Sequence, residues 1–324
     1  MFFGGSKFWL MGLFILLNAS HALAAPWRLW ITQPLGHPAT LASEQFANEV
    51  NQALQHNHGK IYVYPNAVLG DSGKAVHMLQ SGQLDFAEIS LGPIAERLDA
   101  LQLIKLPFLF RDEHHLQHVM NGSVGERYRH TIEGTGIVVL AWYSGGTRSF
   151  YCTDSTIKSV QDLRGKRIRV QGSIHVEMVK LLHAIPLVVP YQDVHKGLSI
   201  GDFDCAENNI VSFVENQHYQ FAKTWLETKH MISLEALVVS QKIWKDLSPS
   251  EQQTLLQAAQ KSATYMQQLW EKKASDALAI AKQHGVRVVV PKDLPKAIKQ
   301  MEPLYRQVVD DTASRQDLLT ILAP

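Results

Sequence analysis

Short apolar runs of β-forming residues alternate with segments of helical periodicity along nearly the whole chain, and this alternation restricts the fold to α/β. Residues 27–32 read as a first strand. Residues 42–54 read as a helix, with Phe46, Val50 and Leu54 at four-residue steps on one face. A second strand at 60–64 runs into the turn Pro65-Asn66, and a helix at 74–81 stops at Gly82 before a strand at 84–89. Residues 137–142 form a buried strand that 148–152 continue beyond Gly145-Gly146, a pair that implies a bulge or the close approach of a ligand. Strands follow at 166–170, 187–190 and 203–207, with a helix at 176–182. Ser248-Pro249-Ser250-Glu251 opens the longest helix with an N-cap, a first-turn proline and a capping-box glutamate. It runs to Gln283 and ends at Gly285; a strand at 286–290 and a last helix at 294–309 complete the pattern.

The first residues bear on the compartment. Lys7 is the only charge before the apolar run from Phe8 to Leu17, and Ala22-Leu23-Ala24 is a small-x-small exit. This is the pattern of a secretory signal peptide, 1–24, cut after Ala24; the alternative, an uncleaved anchor helix, needs a longer apolar run. Removing 24 of 324 residues leaves 300, enough for two lobes. With no flexible linker between them, such lobes need a chain that crosses from one to the other several times, as in hinge-bending receptors. No later segment is long enough to span a membrane. The net charge of +1 falls to zero without Lys7, and the basic residues form no runs, which argues against a nucleic-acid partner or polybasic membrane attachment. Cys152 and Cys205 form either a disulfide, which an exported chain permits, or two small buried side chains; spacing does not decide.

Neither Gly-x-Ser-x-Gly nor His-Glu-x-x-His occurs, nor a phosphate-loop or dinucleotide glycine pattern. His114, His115 and His118 are the best metal candidates, with His114 and His118 on one helix face. Zinc needs three or four convergent ligands, and no cysteine or acid completes the set, so three surface histidines is the preferred reading and no metal or other cofactor is expected. Two arginines carry more information. Arg148 adjoins an apolar strand, and Arg169 stands between Ile168 and Val170. A buried guanidinium must be paired. The partner is either an internal Asp or Glu or a ligand carboxylate, which the planar fork meets bidentately.

The segment Asp162-Leu163-Arg164-Gly165-Lys166-Arg167-Ile168-Arg169-Val170 resembles the signature of TRAP-transporter substrate-binding proteins. So does Asp202-Phe203-Asp204-Cys205-Ala206-Glu207-Asn208-Asn209, where that family usually has Asp-Gly before the Glu-Asn. Leu69-Gly70, Ser81-Gly82-Gln83-Leu84-Asp85, Leu106-Pro107-Phe108-Leu109-Phe110-Arg111, His218-Tyr219 and Leu247-Ser248-Pro249 fall in the family's order. The resemblance implies a class II periplasmic binding protein: two α/β lobes, a hinge and an interlobe ligand cleft. It further implies a periplasmic receptor, not an enzyme, that delivers a small organic acid to a TRAP-type membrane permease. Arg169 is then the principal salt bridge to the ligand carboxylate, Arg148 a second cationic contact and Asn208 a hydrogen bond. The wording Leu-Pro-Phe-Leu-Phe-Arg-Asp, Arg-Ser-Phe-Tyr and Ala-Glu-Asn-Asn is most similar to members that bind hexuronates.

Lobe one is expected to hold 25–145 and 234–273, and lobe two 146–233 and 274–324. His37 and Glu88 would face the ligand from lobe one, against the plainer readings of a loop histidine and a solvated charge. Tyr191 either caps a sugar ring or packs in the core. Glu88 departs from the resemblance, as do His195 and Ile185-Pro186. Facing the cleft, Glu88 would accept from hydroxyl groups and repel a second carboxylate. A dicarboxylate or keto-acid receptor, and a sensor coupled to a membrane histidine kinase, are the alternatives.

Overall fold

The computed structural model describes residue 1 and residues 25–54, 59–95 and 98–323, so apart from Met1 the expected leader lies outside the described residues. Among the described residues nine strands form one sheet. They are β1 (Trp27–Trp30), β2 (Ile61–Tyr64), β3 (Phe86–Ser90), β4 (Ile137–Cys152), β5 (Arg167–Val170), β6 (Ile185–Val188), β7 (Cys205–Asn209), β8 (Thr224–Ser240) and β9 (Arg287–Val289). The order is β2-β1-β3-β8-β4-β7-β5-β6, with β9 on β8.

Two long strands explain how one sheet becomes two halves. β4 and β8 run antiparallel from Ile137 opposite Ser240 to Cys152 opposite Thr224. At the first-half end β8 meets β3, which pairs Phe86 to Ser90 with Val239 to Glu235. At the other end β4 meets β7, along Arg148 to Cys152, and β8 meets β9, along Thr224 to Leu226. Between the halves the register shifts, from Ser144 opposite Leu234 to Thr147 opposite Ile232. Gly145 and Gly146 occupy that shift, as their spacing predicts. Gly146 has φ +84°, and a Cβ on it would stand 3.2 Å from the Trp270 ring; one on Gly145 would meet Glu235 Oε1 at 2.5 Å. A side chain at Gly145 would displace Glu235, and one at Gly146 would be strained by its positive φ.

Helices cover both faces. The first, Pro38–Ala53, buries Phe46 and Val50, with Phe46 edge-on to Phe86 at 5.7 Å between centroids. Complete burial of one such ring contributes about 1.5–3 kcal/mol. The long helix Pro249–Gln283 carries the expected capping box of Ser248 and Glu251. Leu255, Met266 and Trp270 enter the core under the first half, whereas Ala281 joins the core of the second, so one rigid element touches both. Cys152 and Cys205 stand directly opposite each other on β4 and β7 and are joined as a disulfide.

Several elements differ from the pattern. β8 is not signalled by periodicity, because Glu227, Lys229, His230 and Glu235 interrupt its apolar residues; all but Lys229 are wholly or partly covered inside the fold. The predicted last helix is two, Leu294–Gln300 and Glu302–Val308, with Pro303 at the start of the second, and a further helix, Thr312–Leu322, follows. Helices at Glu113–Met120 and Ser123–Glu133 complete the first half. His115 is not on the surface: its Nδ1 accepts from the Arg111 amide at 3.1 Å, so Nε2 donates to the Ile321 carbonyl at 2.9 Å. Among the described residues no three His, Cys, Asp or Glu converge in a way that could hold a metal.

Candidate ligand-binding site

A cavity of about 320 Å³ lies between the two halves. Ser90, Leu91 and Gly92, at the end of β3, line it from the first half together with Ile104 and Lys105. Residues 171–175, which follow β5, line it from the second half, and Met231 to Leu234 of β8 cross behind it. Strand-end loops meet here, the usual place for a ligand in an α/β sheet.

None of the residues singled out on sequence grounds belongs to this lining; Arg169 stands two residues before it on β5, and Glu88 two residues before it on β3. Arg169 projects from β5 on the face opposite Ile168 and Val170, which are packed into an apolar core. It is 2% exposed, and its Nε donates to the Val189 carbonyl at 2.8 Å. No carboxylate of the described residues lies within ion-pair distance of it. Burial lowers its pKa, only partly offset by the more distant Glu207, yet a guanidinium keeps its proton. Arg169 is therefore a buried cation short of a counter-charge.

Arg148 has the opposite status. Its Nε and Nη2 donate to the two carboxylate oxygens of Glu207 at 2.6 and 2.9 Å, and Nη1 donates to Asn208 Oδ1 at 2.8 Å. Of the two partners open to these arginines, the internal acid is the one Arg148 takes. Burial alone would raise the Glu207 pKa, but Arg148, His175 and His230 outweigh it and hold the carboxyl far below the usual range. His230 Nε2 stands 3.5 Å from Glu207. Asn208 spends its oxygen on Arg148 and on the Asn209 amide, at 2.8 Å each, and its side-chain N–H groups have no partner among the described residues.

Tyr191 is 43% exposed, so the core-packing alternative fails; its hydroxyl accepts from Asn216 Nδ2 at 2.5 Å and feels the charges of Arg148 and Arg169. The structure thus gathers Arg148, Arg169, Asn208 and Tyr191. His37 stands apart from that group. It caps the helix Pro38–Ala53, with Nδ1 accepting from the Ala39 amide at 3.2 Å, and packs edge-on to Trp270 at 5.5 Å. It is buried, not an exposed loop residue, and burial, then Lys273, pull its pKa down to about 4, so it is neutral. Nor is Glu88 a solvated charge: it is 3% exposed and hydrogen-bonded to Glu235 across β3 and β8. Burial, then the second carboxyl, push its pKa well above the usual carboxylate range.

Sequence patterns did not single out the acids that organise this site. Glu207 stands in the quoted Ala-Glu-Asn-Asn segment, between two residues of β7 that are themselves buried. Glu235 lies in β8; the alternation of Ser233 and Glu235 with Ile232, Leu234 and Ala236 was the available signal.

Residues 31–312 match the family described as bacterial extracellular solute-binding protein, family 7. The chain belongs to this family. Its members are solute receptors for transport rather than enzymes, and they work outside the cytoplasm with a membrane permease. A solute-binding protein of Chromohalobacter salexigens is 31% identical over 315 residues, 96% of this chain and 93% of that protein. The crystal structure of a TRAP periplasmic solute binding protein from the same species, with bound D-glucuronate, has a TM-score of 0.85 at 31% identity. The match covers 91% of this chain and 98% of that one. A TRAP periplasmic solute binding protein from Xanthobacter autotrophicus, with bound β-D-galacturonate, is 34% identical with a TM-score of 0.82 and the same coverages. No helix among the described residues is long and apolar enough to cross a membrane.

Proposed function

We propose that this family member is a periplasmic receptor for hexuronates such as glucuronate and galacturonate, exported by a cleaved leader and read by a TRAP-type permease. The observation that carries the ligand class is Arg169, a buried guanidinium beside an interlobe cavity with no internal carboxylate to neutralise it. A ligand carboxylate supplies that charge bidentately. Asn208 adds a donor, and Tyr191 covers the sugar ring at the mouth. Arg148, neutralised by Glu207, stands as a fixed ion pair beside the site rather than as the main anchor. The hexuronates held by the Chromohalobacter and Xanthobacter relatives support the same ligand class.

The lobes are 25–145 with 234–273 and 146–233 with 274–324. The register shift at Ser144 to Thr147, and a long helix with one end in each core, support these limits. Ligand touching both lobes binds the closed form better, and that difference in affinity drives closure. His37 and Glu88 contribute from lobe one, His37 by fixing the start of its helix.

A thermal-shift screen of glucuronate, galacturonate, succinate and malate at equal concentration tests this reading. The uronates raise the melting temperature and the short dicarboxylates do not. The reverse order sinks it.

A further inference from the structure

We propose that Glu88 and Glu235 form a shared-proton carboxyl pair on the two strands that carry Ser90 and Ser233 into the cavity, and that this pair makes binding of a hydroxylated monocarboxylate depend on the proton it holds. The inference rests on the hexuronate reading for its probe, but the observation behind it is separate. Ser90 and Ser233 line the cavity, and Glu88 and Glu235 stand two residues along the same strands on the same faces. Both acids are at least nine-tenths buried. Each keeps one oxygen with no hydrogen-bond partner, Oε1 of Glu88 and Oε2 of Glu235, while the two side chains bond each other. Buried oxygens without a donor are costly to leave so, and ligand hydroxyl groups are the donors that a sugar acid brings. A second carboxylate would bring none, and would stand against Glu235.

The surroundings fix the pair's charge. Two carboxyls in contact cannot both ionise away from water, so one proton stays between them. The other titratable or charged groups near the pair come from β4: Tyr143, whose hydroxyl bonds Ser262, and Arg148, which favours the charged form of Glu235. On β1, which borders β3, the charged residue Arg28 is engaged with Asp85 just before β3. Burial and Glu235 raise the Glu88 pKa, and burial also raises that of Glu235. The contribution of the protonated pair is therefore full below its raised pKa and is lost as pH rises through it. Above that point the proton leaves to bulk water and two like charges are left, that of Glu235 against Gly145, whose missing side chain is what lets it lie against the hinge.

The test is titration calorimetry with D-glucuronate and D-galacturonate at about pH 6 and about pH 8.5, on the wild type, Glu88→Gln and Glu235→Gln. A one-proton linkage costs affinity by up to about tenfold per pH unit. The wild type is expected to bind more weakly as pH rises through the pair's raised pKa, by up to about tenfold for each pH unit above it. Each Gln variant, with no proton to lose from that carboxyl, is expected to change by less than about threefold, a flattened profile that a merely structural role does not produce. Parallel profiles in all three proteins overturn the proposal. If the wild type binds neither uronate but binds another organic acid, the ligand reading fails instead, and the same comparison with that acid decides the pair.

Discussion

Replacing Arg169 with alanine separates binding from folding in a way few core substitutions can. The guanidinium is 2% exposed and makes one hydrogen bond, to the Val189 carbonyl, with no acid to neutralise it. In the complex, the ligand carboxylate becomes its counter-charge. Truncating one member of a desolvated charge pair costs about 2–5 kcal/mol, roughly 30- to 5000-fold in affinity. Arg148 cannot take over, because Glu207 already neutralises its charge and, with Asn208, takes most of its donors. In the free protein the same change removes a buried charge whose desolvation is not repaid, so the variant melts no lower than the wild type. Arg169→Lys loses affinity too, since an ammonium does not reproduce the planar fork. Titration calorimetry with glucuronate and thermal melts of the free variants check both halves. Near wild-type affinity, or a variant that no longer folds, refutes the reasoning.

Arg148→Ala should behave in the contrary manner, because it leaves Glu207 buried and uncompensated; it is expected to cost about 3–5 kcal/mol of stability in denaturant unfolding. Since Arg148, His175 and His230 depress the Glu207 pKa, that acid's stabilisation is complete above the unfolded pKa of about 4.3 and is lost as pH falls through the folded value. Melting temperature followed from neutral to acid pH should therefore drop, and drop less steeply in Glu207→Gln. The Cys152–Cys205 bond closes a loop of sequence separation 53 and contributes about 4 kcal/mol in the chain-entropy description. The double alanine variant should unfold at correspondingly lower denaturant, with its m-value as a check on the unfolded state.

The sequence made the α/β alternation and the long helix legible because those signals are local: caps, glycine stops and apolar periodicity. The family motifs likewise pointed to Arg169 before any contact was known. What stayed hidden depended on pairing across the sheet. β8 buries His230 and Glu235 among apolar neighbours, which breaks the pattern by which a strand is recognised. Whether an arginine is satisfied from within depends on which acid stands beside it, and only the register of β4 with β7 brings Arg148 to Glu207. Glu88 was visible as an oddity, but its partner was not, because Glu235 is far along the chain and adjacent only through the pairing of β3 with β8. His37, expected to face the ligand, instead caps the helix that follows, a role no local pattern marks.

The central claim is that Arg169 waits for the carboxylate of a sugar acid between the lobes. A crystal structure of the protein with D-glucuronate or D-galacturonate tests it most directly. The account predicts the ligand in the interlobe cavity with its carboxylate in two hydrogen bonds from Arg169, and its hydroxyl groups toward the Glu88–Glu235 pair. A uronate whose carboxylate sits on Lys105, the cavity's own lining cation, with Arg169 left unpaired, would contradict it.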